Sequence, residues 1–192
     1  MTTIENTERK IANQIRKDLW TLRQAIKSGD ESAIMIWPIP AKLACAQRPL
    51  RDHPIYGGSS KVFPPEAAPY VLSWIKRIKD EGIRSIICLM HPKELQYYEP
   101  LNLHTYGLFG LYSDCGFVIR NFQWADPARE KSETTRLELK NKVHKIKVDA
   151  YKAYQELPHP VLLHCSAGID RSAPVAAFIV LKEQKIKLTK MR

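Results

Sequence analysis

The stretch Val161-Leu162-Leu163-His164-Cys165-Ser166-Ala167-Gly168-Ile169-Asp170-Arg171-Ser172 decides how this 192-residue chain folds. Three apolar residues lead in as a strand, and the run from Ser172 to Gln184 leads out with helical character. A strand, a tight loop and a helix N-terminus together make an anion site. The amides of the loop and of the first helical turn have no intrahelical acceptor, and the helix dipole places partial positive charge there. Cys165 and Arg171 stand at the two ends of the loop.

Each residue type has a chemical reason to be there. The thiolate of a cysteine is a strong nucleophile, and both a helix N-terminus and a neighbouring cation favour it over the thiol. The guanidinium of Arg171 presents a planar fork that matches two phosphate oxygens, which lysine does not. Gly168, mid-loop, suits a positive φ or a close backbone approach. Pro174 suits the first helical turn, where its missing N–H costs little. A hydroxyl at Ser172 is placed to hydrogen-bond sulfur. A cysteine six residues before an arginine is common by chance. The same pair behind a buried strand, with a central glycine, a following hydroxyl and an apolar helix, is not. The competing interpretation is a structural cysteine, with Arg171 paired to a surface carboxylate.

His-Cys-x-x-Gly-x-x-Arg-Ser over residues 164–172 resembles the signature loop of the cysteine-dependent protein tyrosine phosphatases, in their compact dual-specificity branch. The resemblance implies that Cys165 takes the phosphoryl group as a thiophosphate that water then releases. It implies that Arg171 and the amides of Ser166, Ala167, Gly168, Ile169 and Asp170 bind the phosphate, and that Ser172 assists breakdown of the intermediate. His164 would tune the cysteine through hydrogen bonds to the loop without acting as a base. No cofactor or metal is implied.

Expelling an alkoxide or phenolate requires a proton. The family supplies it from an aspartic acid on an upstream loop. Here Phe117 to Trp124 reads as a strand, followed by Ala125-Asp126-Pro127, and Asp126 lies 39 residues before Cys165. Asp126 is the first candidate for general acid, against the frequent role of an aspartate before proline as a turn or cap residue. Asp170, inside the loop, is a second candidate, or else pins the loop to a neighbour. Asp114 is a weaker candidate and reads as a turn residue. Cys88 reads as a buried structural cysteine, with a redox disulfide to Cys165 as the alternative.

The rest of the chain supports an α/β fold, a central mostly parallel sheet with helices on both faces. Ser85 to Met90 is apolar on both faces, as strands of a parallel sheet are. Helices are expected from Pro65 to Asp80, around Tyr97-Tyr98, from Leu101 to Gly116, and from Ser132 to Leu157. The helix, Gly-Ile, strand and His91-Pro92-Lys93-Glu94-Leu95 sequence again resembles this phosphatase branch. Ile11, Ile15, Leu19, Leu22 and Ile26 follow helical spacing. Residues 1–33 are accordingly expected to form an N-terminal basic amphipathic helix beside a catalytic domain over 34–192, either as a partner- or membrane-surface helix or packed on that domain with a solvated basic face. The family usually carries one or two helices after the loop helix, whereas only Lys185 to Arg192 remain here, so either a truncated C-terminal end or a core left partly open is expected.

Thirty Lys and Arg against twenty Asp and Glu leave a net charge of +10. Such a surface attracts phosphorylated partners and also suits anionic lipid or RNA, although no aromatic-interleaved RNA motif accompanies it. Residues 131–152 hold seven Lys or Arg and three Asp or Glu. The signature loop itself has no lysine: Ala167, Ile169 and Asp170 favour a phosphoprotein over a highly charged inositol lipid. The longest apolar run, Ala173 to Leu181, is shorter than the ~20 residues of a membrane span. Four cysteines without Cys-x-x-Cys spacing suit a reducing cytoplasm, and a monomer is expected.

Overall fold

A computed structural model of the chain describes residues 3–58, 61–125 and 136–190. Its centre is a five-stranded sheet of β1 (Ile36–Ile39), β2 (Leu43–Gln47), β3 (Ser85–Cys88), β4 (Val118–Asn121) and β5 (Val161–Cys165), in the spatial order β1-β2-β5-β3-β4. β1 runs antiparallel to β2, and the remaining pairs are parallel. β2, β3 and β5 are buried along their whole length. That explains why they read as unbroken apolar runs rather than alternating ones.

The helices are α1 (Thr3–Lys27), α2 (Ala68–Asp80), α3 (Pro92–Leu95), α4 (Gly107–Asp114), α5 (Arg136–Glu156) and α6 (Ser172–Lys190). α1, α5 and α6 cover one face of the sheet in a core with Leu43, Cys45, Ile87, Leu163 and Cys165. α2 and α4 cover the other, against Ala44, Ala46, Ile86, Cys88 and Leu162. Among the described residues no helix is long and apolar enough to cross a membrane.

α1 is part of the core rather than a loose appendage. Ala12, Ile15, Leu19 and Leu22 are buried, and each large apolar side chain so buried is worth about 1.5–3 kcal/mol before its entropy cost. A buried ion pair adds a second tie: the Arg23 guanidinium donates to both oxygens of Asp52, at 2.5 and 3.1 Å. Asp52 lies in the segment that leaves β2, so α1 holds that segment directly.

Two expected helices are shorter than their apolar content suggests. Gln96 to Leu101 winds as a 3-10 helix with Pro100 inside it, and Asn102 ends it in the left-handed region. α4 then starts only at Gly107. The strand expected over 117–124 ends at Asn121, because its partner β3 ends at Cys88, which pairs with Asn121. The first four residues expected in the long helix, 132–135, lie outside the described residues.

Candidate active site

The order β2-β5-β3 builds the site. α6 follows β5 onto one face of the sheet, whereas the segment after β3 turns toward the other face, where Leu95 and Tyr98 pack. Connections that diverge in this way open a crevice at the carboxyl ends of the strands. Cys165 is the last residue of central β5, in register with Gln47 of β2, and is 1 % exposed.

The loop after Cys165 is pinned on both sides. The amide of Arg48 donates to the Ser166 carbonyl at 3.0 Å, and the amide of Leu89 to the His164 carbonyl at 2.9 Å. Gly168 has φ +80°, and a Cβ built there would stand 2.9 Å from the Ala46 carbonyl oxygen and 3.3 Å from the Gln47 amide nitrogen. Both the dihedral and the contact demand glycine. The loop closes with the Ala173 amide donating to Ile169 in the first turn of α6. Residues 165–172 thus wrap back over the end of β2 and lead directly into the N-terminus of α6.

Arg171 is 2 % exposed and held by three elements. Its two terminal nitrogens donate to the two oxygens of Glu94, at 2.6 and 2.7 Å, a bidentate pair. The same edge also donates to the Leu89 carbonyl at 3.1 Å and the Trp124 carbonyl at 2.7 Å. The partner of Arg171 is therefore a mostly buried carboxylate in α3, not one on the surface. Burial alone raises the Glu94 carboxyl pKa, but the hydrogen bonds and charge of Arg171 outweigh this, and the net shift is downward. Glu94 also accepts from the His91 amide, while the His91 ring accepts from Lys93. This capping box fixes the helix that presents Glu94. His91-x-x-Glu94 directly after an apolar strand is the signal in the sequence, but nothing local points it at Arg171.

His164 is fully buried between Trp74 and Tyr112, which meet it edge-on. Its Nδ1 donates to the Cys165 carbonyl at 3.3 Å. Burial pushes its pKa down to about 4, and Arg171 and Arg48 push the same way. The ring is neutral at physiological pH and steadies the backbone of Cys165. The Ser172 hydroxyl is buried and makes no hydrogen bond among the described residues, including none to the sulfur of Cys165.

Cys45 and Cys88 flank the site without joining it. Burial raises both thiols, Cys88 to about 12 and Cys45 further still. Cys88 pairs with His164 and belongs to the core on the α2 side, whereas Cys165 belongs to the core on the α6 side. A Cys88–Cys165 disulfide would have to cross the sheet, so Cys88 is the buried structural cysteine. Cys115 is half-buried and lines a cavity of about 390 Å³ with Lys79, Arg84 and Val118, at the amino ends of β3 and β4, the opposite edge of the sheet.

Of the acid candidates, Asp126 lies outside the described residues. It follows two residues after Trp124, whose carbonyl accepts from Arg171. Asp170 is exposed and pins the loop to nothing among the described residues. Asp114 ends α4 and pairs with His104 at 3.0 Å, away from the loop. No protein-family model, no curated protein and no solved structure matches the chain.

Proposed function

We propose that this chain is a cysteine-dependent phosphomonoesterase acting on phosphotyrosine or phosphoserine/threonine in proteins, through a phosphocysteine intermediate and without a metal or cofactor. One observation carries it. A buried cysteine ends the central strand, and a glycine-tightened loop joins it to a buried arginine at a helix N-terminus. The resemblance of residues 164–172 to the dual-specificity phosphatase loop supports the same assignment.

In the first step the Cys165 sulfur forms a bond to phosphorus as the bond to the ester oxygen breaks, and that oxygen takes a proton from an aspartic acid. Asp126 is assigned this role, with Asp170 as the alternative. In the second step water, deprotonated by the same carboxylate, attacks phosphorus and restores the thiolate. The loop amides and the N-terminus of α6 stabilise the charge on the equatorial oxygens. Glu94 holds both terminal nitrogens of Arg171 and so fixes the guanidinium at the end of the loop. The neutral, buried His164 takes no proton in either step.

The basic faces of α1 and α5 are placed to meet anionic partners. Lys140, Lys142 and Lys145 of α5 are exposed. They support a second substrate class, a phosphoinositide or an RNA end. A panel of phosphopeptides, inositol phospholipid vesicles and 5′-triphosphate RNA separates the classes. Preference for phosphopeptides is expected, and preference for the lipid or RNA would reassign the substrate. Tight phosphate binding with no turnover on any of them would make the protein a phosphate-binding adaptor.

A further inference from the structure

Arg48, the first residue after β2, is 0 % exposed, and no carboxylate lies within 4 Å of it among the described residues. Burying a guanidinium without a counter-charge costs several kcal/mol unless its donors are matched and an anion eventually faces it. Its donors are matched by neutral groups only: Nε to the Ser166 hydroxyl at 3.2 Å, and the terminal nitrogens to the Tyr98 hydroxyl at 3.1 Å and the Gly58 carbonyl at 2.9 Å. The rings of Phe63, Tyr97 and Tyr98 stand 5.1–5.7 Å from its carbon and exclude water. Its amide holds the Ser166 carbonyl as well. One residue thus grips Ser166, the residue after Cys165, by side chain and by backbone, and its charge has no directly paired carboxylate among the described residues.

We propose that Arg48 is a positioning residue of the anion site: it fixes Ser166, and with it the loop amides, and it supplies from behind the loop the second positive charge that a bound phosphate meets. This rests on the phosphate-loop assignment made above. The charge of Arg48 is felt on both flanks of the loop, at His164 before Cys165 and at Glu94, the partner of Arg171. The guanidinium is too deeply buried to touch substrate, so its action passes through Ser166 and through space. The segment that carries it is in turn fastened to α1 by the Arg23–Asp52 pair.

The test compares how fast Cys165 is alkylated by iodoacetate, an anion, and by neutral iodoacetamide, read at the Cys165 peptide by mass spectrometry. The ratio reports the anion site and does not depend on turnover. A general gain in accessibility speeds both reagents and leaves the ratio unmoved, whereas misdirected loop amides hold the anion less well and lower it. In the wild type the ratio should favour iodoacetate. R48M should lower it about tenfold, the scale of a hydrogen-bonded charge. R48K, which keeps a charge and loses the grip on Ser166, should fall between. S166A should lower it less, and the double variant R48M/S166A should match R48M alone, as coupled neighbours do. An R48M ratio equal to wild type, an R48K ratio equal to wild type, or losses that simply multiply in the double variant would each overturn the role of Arg48. If R48M does not fold, R48K and S166A carry the test. A wild-type ratio that disfavours iodoacetate would overturn the phosphate-loop assignment itself, and the Arg48 role with it.

Discussion

Replacing Glu94 with glutamine removes one negative charge from beneath Arg171 and changes almost no volume. The guanidinium then stays buried without its paired carboxylate, while the Leu89 and Trp124 carbonyls still accept from it. Deleting one partner of a buried ion pair costs about 3–5 kcal/mol. The two carbonyls remain, and the glutamine oxygen can still accept from the His91 amide, so the cost expected for Glu94→Gln is about 2–4 kcal/mol. With a urea slope of about 2 kcal/mol per molar, the unfolding midpoint should fall by about 1–2 M. The pH dependence provides an internal check. The folded-state pKa of Glu94 is lowered, so its contribution is present in full above the unfolded glutamate value. It is lost as pH falls through the folded value. The gap between wild type and Glu94→Gln should be constant around neutrality and close in acid, below about pH 4. A midpoint within 0.2 M of wild type at pH 7, about the scatter expected of surface changes, would refute the claim that this pair holds Arg171. So would a gap that persists unchanged into acid.

Three further outcomes are expected. Gly168→Ala should cost about 1–3 kcal/mol in urea unfolding, from the positive φ and the 2.9 Å approach to Ala46, and should weaken phosphate binding. Loss of stability with binding intact would mean that the loop geometry does not matter to the anion. Arg23→Ala should destabilise by about 2–4 kcal/mol, because Asp52 keeps only Lys27 at 3.8 Å and Arg51 at 3.5 Å. An effect below 0.5 kcal/mol would show that α1 does not secure the segment carrying Arg48. Asp126→Ala should slow esters with poor leaving groups far more than activated aryl phosphates, and the same selectivity in Asp170→Ala instead would transfer the acid role to Asp170.

The loop was legible because its signals are local. A buried strand, a glycine, and a helix start with proline two residues in are all written within fifteen residues, and the site cysteine and arginine follow from them. The helical periodicity of α1 likewise marked the residues that pack. The insertion of β5 between β2 and β3 is a long-range choice with no local mark. Glu94 and Arg48 were missed for the same reason. Each is a charged residue in a connecting segment, ordinarily solvated, and only the sheet order brings Glu94 to Arg171 and Arg48 to Ser166, 77 and 118 residues away. The helix expected over 101–116 is confined to Gly107–Asp114, because the apolar content before it serves a 3-10 turn and packing around Tyr98 and Leu101.

Hydrolysis of a simple aryl phosphate by wild type and by Cys165→Ser, with chelator and reductant present and from mildly acid to neutral pH, tests the central claim most directly. The expected result is turnover in the wild type that survives chelation and is abolished in Cys165→Ser, while the variant still binds phosphate. Turnover that persists in Cys165→Ser, or no turnover by folded wild type, would contradict it.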